Sequence, residues 1–117
     1  MLKPFIGPPS APDVIFISVS NETYDSAVLF WMEGFHGGFN QTIHLEMRLG
    51  SLSWIEQNKY LTLISTQEVQ ATRNTTIIGL QPGTTYHVRL FASNERGLSG
   101  LSEVWNFTTK GISVIWI

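Results

Sequence analysis

Four triplets in this chain carry the residue pattern on which a sugar can be built. Asn21-Glu22-Thr23, Asn40-Gln41-Thr42, Asn74-Thr75-Thr76 and Asn106-Phe107-Thr108 each set a hydroxyl two residues after a carboxamide with no proline between, the acceptor pattern for N-linked glycosylation. Six Asn and 22 Ser and Thr in 117 residues would produce about one such triplet by chance. The excess points to a chain made in the secretory pathway. A structural origin competes with it, because Thr-rich strands beside turn asparagines generate triplets without any selection for sugar. Asn106 is usable only if Trp105 and Phe107 point inward, which would leave Asn106 on the solvent side of its strand.

Other chemistries find less support. His36, His44 and His87 fall on a loop and two strands without carboxylate or cysteine companions at ligand spacing, so exposed histidines are expected rather than a metal site. Ser, His and Asp are present, but no Gly-x-Ser-x-Gly elbow or His-Glu-x-x-His segment organises them. Gly34, Gly37 and Gly38 precede a strand and not a helix, which removes a phosphate-cradling loop. The absence of cysteine excludes a disulfide, a thiolate zinc site and a cysteine nucleophile together. No catalysis, cofactor, metal or small-molecule substrate is expected. A net charge of -2 offers no excess of positive potential for nucleic acid or an anionic membrane surface.

The elements that position these residues read as strands. A chain of 117 residues with 43% hydrophobic and 14% charged residues can bury one core. No apolar run approaches the roughly 20 residues of a membrane helix. Met1 to Ser10, with three prolines, does not read as a signal peptide, so a secreted parent is expected to carry its signal upstream. No stretch shows apolar residues at spacings of three and four over a dozen positions. Strands are expected instead at Val14–Val19, Ala27–Met32, Thr42–Leu49, Thr75–Leu80, Tyr86–Ala92 and Val104–Thr109, with an edge somewhere in 50–73 from Trp54-Ile55 or Tyr60–Ile64. Period-two alternation puts Ile43, Leu45, Met47 and Leu49 on one face, and Tyr86, Val88, Leu90 and Ala92 on one face of a later strand. Seven strands separated by Pro, Gly and Asn turns predict an all-β, two-sheet antiparallel sandwich. Pro82-Gly83 turns the chain into Tyr86, whose ring is expected inside with its hydroxyl reaching an upstream backbone group.

These residues resemble a fibronectin type III domain, an immunoglobulin-like fold. Leu80-x-Pro82-Gly83-Thr84-x-Tyr86 is similar to that family's corner between its fifth and sixth strands, and Ala92-x-Asn94-x-x-Gly97-x-Ser99-x-x-Ser102 to the lead into its last strand. Trp31 with Leu29 stands where the family places its core Trp, and Gly37-Gly38 resembles the turn before the third strand. Pro9 and Pro12 suit its proline-containing start. Two features depart from it: Ile43 replaces a common Tyr on the third strand, and the interval from Ser51 to Arg73 is long. The resemblance divides the chain into a linker at 1–8, a domain at 9–110 and an apolar tail at 111–117. It implies a structural core including Leu29, Trp31, Leu80, Tyr86 and Val88.

The resemblance also implies a function. It suggests a non-catalytic extracellular module of a cell-surface adhesion or guidance receptor, similar to domains beside immunoglobulin modules in invertebrate neuronal and nephrin-like receptors. Such a module serves as spacer and contact surface for immunoglobulin or fibronectin type III modules in cis or trans, with a membrane reached only through segments outside these residues. The alternatives are a cytoplasmic sarcomeric scaffold domain and an accessory domain of a secreted glycoside hydrolase. Glu95-Arg96-Gly97 sits where some integrin-binding relatives present Arg-Gly-Asp, but Leu98 replaces the acid, so no carboxylate is offered for metal coordination. The Trp-Ser-x-Trp-Ser signature of cytokine receptors is absent. Phe35, Phe39 and Phe91 are the candidate contact surface, against the alternative that they fold over the sandwich rim. The tail Ile112–Ile117 is apolar enough to promote association, so its deletion is expected to reduce any dimerisation in solution.

Overall fold

The computed structural model describes residues 6–19, 24–57, 64–65 and 72–112. These residues form nine strand segments and no helix: β1 (Asp13–Val19), β2 (Ala27–Met32), β3 (Gln41–Leu49), β4 (Ile55–Glu56), β5 (Ile64–Ser65), β6 (Thr72–Ile77), β7 (Thr85–Asn94), β8 (Gly97–Leu98) and β9 (Trp105–Thr108). One antiparallel sheet has the order β1-β2-β6; the other runs β4-β3-β7-β8, with β5 also on β3 and β9 also on β7. Since β7 occupies one edge of β3, the two-residue segments β4 and β5 share the other. By the same logic β8 and β9 share the free edge of β7. The nine segments therefore trace the seven strands expected of the sandwich.

The core follows from the alternation. Along β2, Ala27, Leu29 and Trp31 are buried; along β3, Ile43, Leu45 and Met47; along β7, Tyr86, Val88, Leu90 and Ala92. Leu29, Trp31 and Val88 are fully buried, and together with Leu80, Tyr86, Ile77 and Phe107 they form one cluster between the sheets. Each large side chain buried there contributes roughly 1.5–3 kcal/mol.

Two elements differ from the sequence pattern, each for a definable reason. In β1 the register shifts between Val14 and Phe16. This bulge sends Val14, Ile17 and Val19 towards the core and leaves Ile15 and Phe16 exposed. The run from Val14 to Val19 is apolar at all but one position, so its alternation carries no signal for the break. The strand expected at Thr75–Leu80 lies instead at Thr72–Ile77. Gly79 takes φ +74° and ends it, exposing Ile78 and folding Leu80 into the core, where the Leu80 N–H donates to Asp25 O at 2.9 Å. The polar start of β6 is held by pairing with β2 and by Arg73, whose Nε donates to the buried Glu33 carboxylate at 2.9 Å.

The corner after β6 is closed by Tyr86. Its hydroxyl oxygen accepts the Gln81 N–H at 2.8 Å, and its ring stacks on Phe107 with centroids 5.6 Å apart. Thr109 completes the corner, its hydroxyl accepting the Thr84 N–H at 3.0 Å while Gly83 N donates to Lys110 O at 3.1 Å. At the opposite end, Gly7 N donates to Gly37 O at 3.0 Å and Ser10 N to Phe35 O at 2.8 Å. Asn94 Nδ2 donates to both Gly7 O and His36 O, at 2.7 and 2.9 Å. The first and last described segments thus leave from opposite ends of β7, which at about 3.4 Å per residue makes a strut of roughly 30 Å.

Candidate contact surfaces

The outer face of the larger sheet is polar and aromatic, and its groups are cross-linked. The β3–β7 register sets Thr42 beside Ser93, His44 beside Phe91, Glu46 beside Arg89 and Arg48 beside His87. His44 lies flat on Phe91, with centroids 4.4 Å apart and planes 2° from parallel. Its Nδ1 is paired with Glu56 Oε1 on β4, and its Nε2 lies 2.7 Å from Ser93 Oγ. Arg89 Nε donates to Glu46 Oε1 at 2.7 Å. Trp54, from the β3–β4 connection, lies over both guanidinium groups, 4.6 Å from Arg48 and 4.1 Å from Arg89. Each such cation–π contact contributes about 0.5–1 kcal/mol at an exposed site. The face is pre-ordered, so presenting it to a partner costs little side-chain entropy.

The expectation that all three histidines are exposed is corrected here. His36 is buried: the β2–β3 loop folds under the N-terminal segment, its Nδ1 accepts the Gly38 N–H at 2.9 Å, and its ring packs on Phe35. His44 does have a carboxylate companion, Glu56, which β3–β4 pairing brings from 12 residues away. Among the described residues no three His, Cys, Asp or Glu side chains group at metal-binding distance.

The three candidate phenylalanines are half-buried, each with a partner. Phe35 lies 4.7 Å from the His36 ring, Phe39 lies 5.3 Å under the Arg96 guanidinium, and Phe91 carries His44. The exposed aromatic surface lies elsewhere, on the outer face of the smaller sheet. Phe16 is 55% exposed and lies 6.1 Å from Phe30. Ile15, Phe16, Ser18, Val28, Phe30 and Thr72 line a shallow depression of about 350 Å³. The signal was available in Val14–Val19 and Ala27–Met32, whose nearly unbroken apolar runs supply apolar side chains to both faces of a strand. A second apolar groove, about 220 Å³, lies between Leu52 and Ile55 on one wall and Ile78 and Tyr86 on the other.

Of the four acceptor asparagines, Asn40, Asn74 and Asn106 are exposed and Asn21 lies outside the described residues. Asn106 faces solvent because Phe107 is buried and Trp105 packs against the core. Glu95 and Arg96 form a tight β7–β8 turn in which Asn94 Oδ1 accepts the Arg96 N–H at 2.7 Å. In the C-terminal tail only Gly111 and Ile112 are described.

The fibronectin type III domain profile matches residues 8–108, and the chain belongs to that family. Members of the family are generally non-catalytic modules that mediate protein–protein interactions. Among solved structures, the chicken CNTN1 FN1-FN3 domains match at 20% identity and a TM-score of 0.67, covering 90% of this chain and 34% of that one. The 6th fibronectin type III domain from human fibronectin type III domain containing protein 3 matches at 22% identity and TM-score 0.61, covering 98% and 97%. A multidomain crystal structure from titin matches at 26% identity and TM-score 0.57, covering 91% and 32%. The chain spans about a third of the titin and CNTN1 chains it matches. No curated protein matches it significantly.

Proposed function

We propose that this domain is an extracellular module of a cell-surface adhesion or guidance receptor, acting as a spacer and as a contact surface for other immunoglobulin-like modules. The observation that carries the reading is the set of acceptor triplets: four where about one is expected by chance, with every described acceptor asparagine exposed. The likeness to the CNTN1 domains is consistent with it at the level of fold. Mechanically, chain segments leaving from opposite ends of one sandwich suit domains joined in series. The ordered Trp54–Arg89–Glu46–His44–Phe91 face offers aromatic and Arg anchors of the kind that dominate protein contacts.

A second reading, a cytoplasmic scaffold domain, draws on the titin likeness. The two are separated by isolating the intact protein from its natural source and treating it with a peptide amidase. The extracellular reading predicts a fall in mass and conversion of at least one of Asn21, Asn40, Asn74 and Asn106 to Asp. Unmodified asparagines at all four positions would overturn it.

A further inference from the structure

The exposed rings on the smaller sheet and one acceptor triplet occupy the same row. The β1–β2 register sets Phe16 beside Phe30, and the β2–β6 register sets Phe30 beside Asn74. Residues directly opposite on antiparallel strands point to the same face with Cβ atoms about 4.5–5.5 Å apart. Phe16, Phe30 and Asn74 therefore line up across the outer face, with Ser18, Val28 and Thr76 forming the next row. Asn74 is exposed, and so are Thr72 and Thr76 on either side of it. Among the described residues β6 is an edge, paired only with β2, so a group on Asn74 can fold back over the sheet. The other described acceptors lack this neighbourhood: Asn106 faces His87, and Asn40 lies in the loop before β3.

We propose that the first N-acetylglucosamine of a glycan on Asn74 covers Phe30 and Phe16, making this apolar patch the seat of a sugar and not a protein-docking site. The inference rests on the extracellular reading. Asn74 Nδ2 forms the bond to C1 of a lipid-diphosphate-linked oligosaccharide. The C1–O bond to the diphosphate breaks, the lipid diphosphate leaves with the electron pair, and the displaced amide proton passes to water. The β-linked ring then presents its axial C–H face to the negative faces of the phenylalanine rings, the electrostatics that also orient aromatic pairs. The same sugar shields the β6 edge against strand addition.

The test uses the full 117-residue chain secreted from mammalian cells behind an added signal peptide, which separates failure of the seat from failure of the natural location. Five forms are compared: the secreted protein, the same trimmed to one N-acetylglucosamine, Thr76→Ala, which lacks the acceptor, and Phe30→Leu with and without the acceptor. The proposal predicts occupancy at Asn74. It also predicts a folded-to-unfolded ratio on the order of fivefold lower in Thr76→Ala than in the secreted protein, a ratio kept in full by the form trimmed to a single sugar, with the sugar's benefit lost in Phe30→Leu. Upfield-shifted sugar protons in NMR spectra of the trimmed form are the accompanying signature. An unoccupied Asn74, a sugar benefit unchanged in Phe30→Leu, or self-association through this face with the glycan in place would overturn it.

Discussion

Replacing Tyr86 by Phe and by Ala separates the two things that residue does. The Phe variant keeps the ring against Phe107 and removes only the oxygen that accepts the Gln81 N–H at 2.8 Å. A hydrogen bond of this kind contributes about 0.5–1.5 kcal/mol net, and leaving the amide partly buried without a partner pushes the loss towards the upper end. For a domain of about 100 residues, 1 kcal/mol corresponds to roughly 4–8 °C in the midpoint of thermal unfolding. The Ala variant also removes a ring that is only 7% exposed, which costs about 3–5 kcal/mol through the cavity left behind. Urea unfolding followed by tryptophan fluorescence, to which the buried Trp31 contributes, reads both, and the slope should stay constant for the Phe variant because the surface exposed on unfolding hardly changes. A Phe variant equal to the wild type, together with an Ala variant losing less than about 1.5 kcal/mol, would refute the placement of Tyr86 as the corner's main support.

Trp54→Ala removes the ring shared by Arg48 and Arg89 and should lower stability by about 1–2 kcal/mol. Glu46→Gln in the same background should then cost about 1 kcal/mol more, since the Arg89–Glu46 pair is partly buried and the amide oxygen of Gln keeps an uncharged acceptor for Arg89 Nε. Gly37→Ala forces a β-carbon into a left-handed residue, φ +77°, against Pro8 O at 2.9 Å and the Gly7 carbonyl. It should cost roughly 1–3 kcal/mol and speed hydrogen exchange of the Gly7 amide, read by NMR.

Much of the architecture was legible where burial alternates. In Ile43–Met47 and Tyr86–Ala92 every second side chain is buried, so the pattern alone sets face and register. Tyr86 was legible for a further reason: a Pro-Gly turn followed by a lone Tyr specifies a corner locally, within six residues. The outward aromatic patch was not. Phe16 and Phe30 stand in apolar runs, and the bulge after Val14 is what turns Phe16 outward beside Phe30, a choice made by packing against β2. The Trp54 stack and the His44–Glu56 contact were hidden for the opposite reason, since each depends on how the β3–β4 connection folds back onto β3. The Asn74 row required the pairing of three strands, although each strand's residues read plainly by themselves.

Surface labelling of intact cells that naturally make the protein tests its location most directly. An impermeant amine reagent is applied, labelled chains are captured, and the peptides spanning Asn40, Asn74 and Asn106 are read by mass spectrometry. The extracellular account predicts that the chain is captured with sugar on at least one of these asparagines. Recovery of the chain solely from the unlabelled cytosol, with all three asparagines bare, would contradict it.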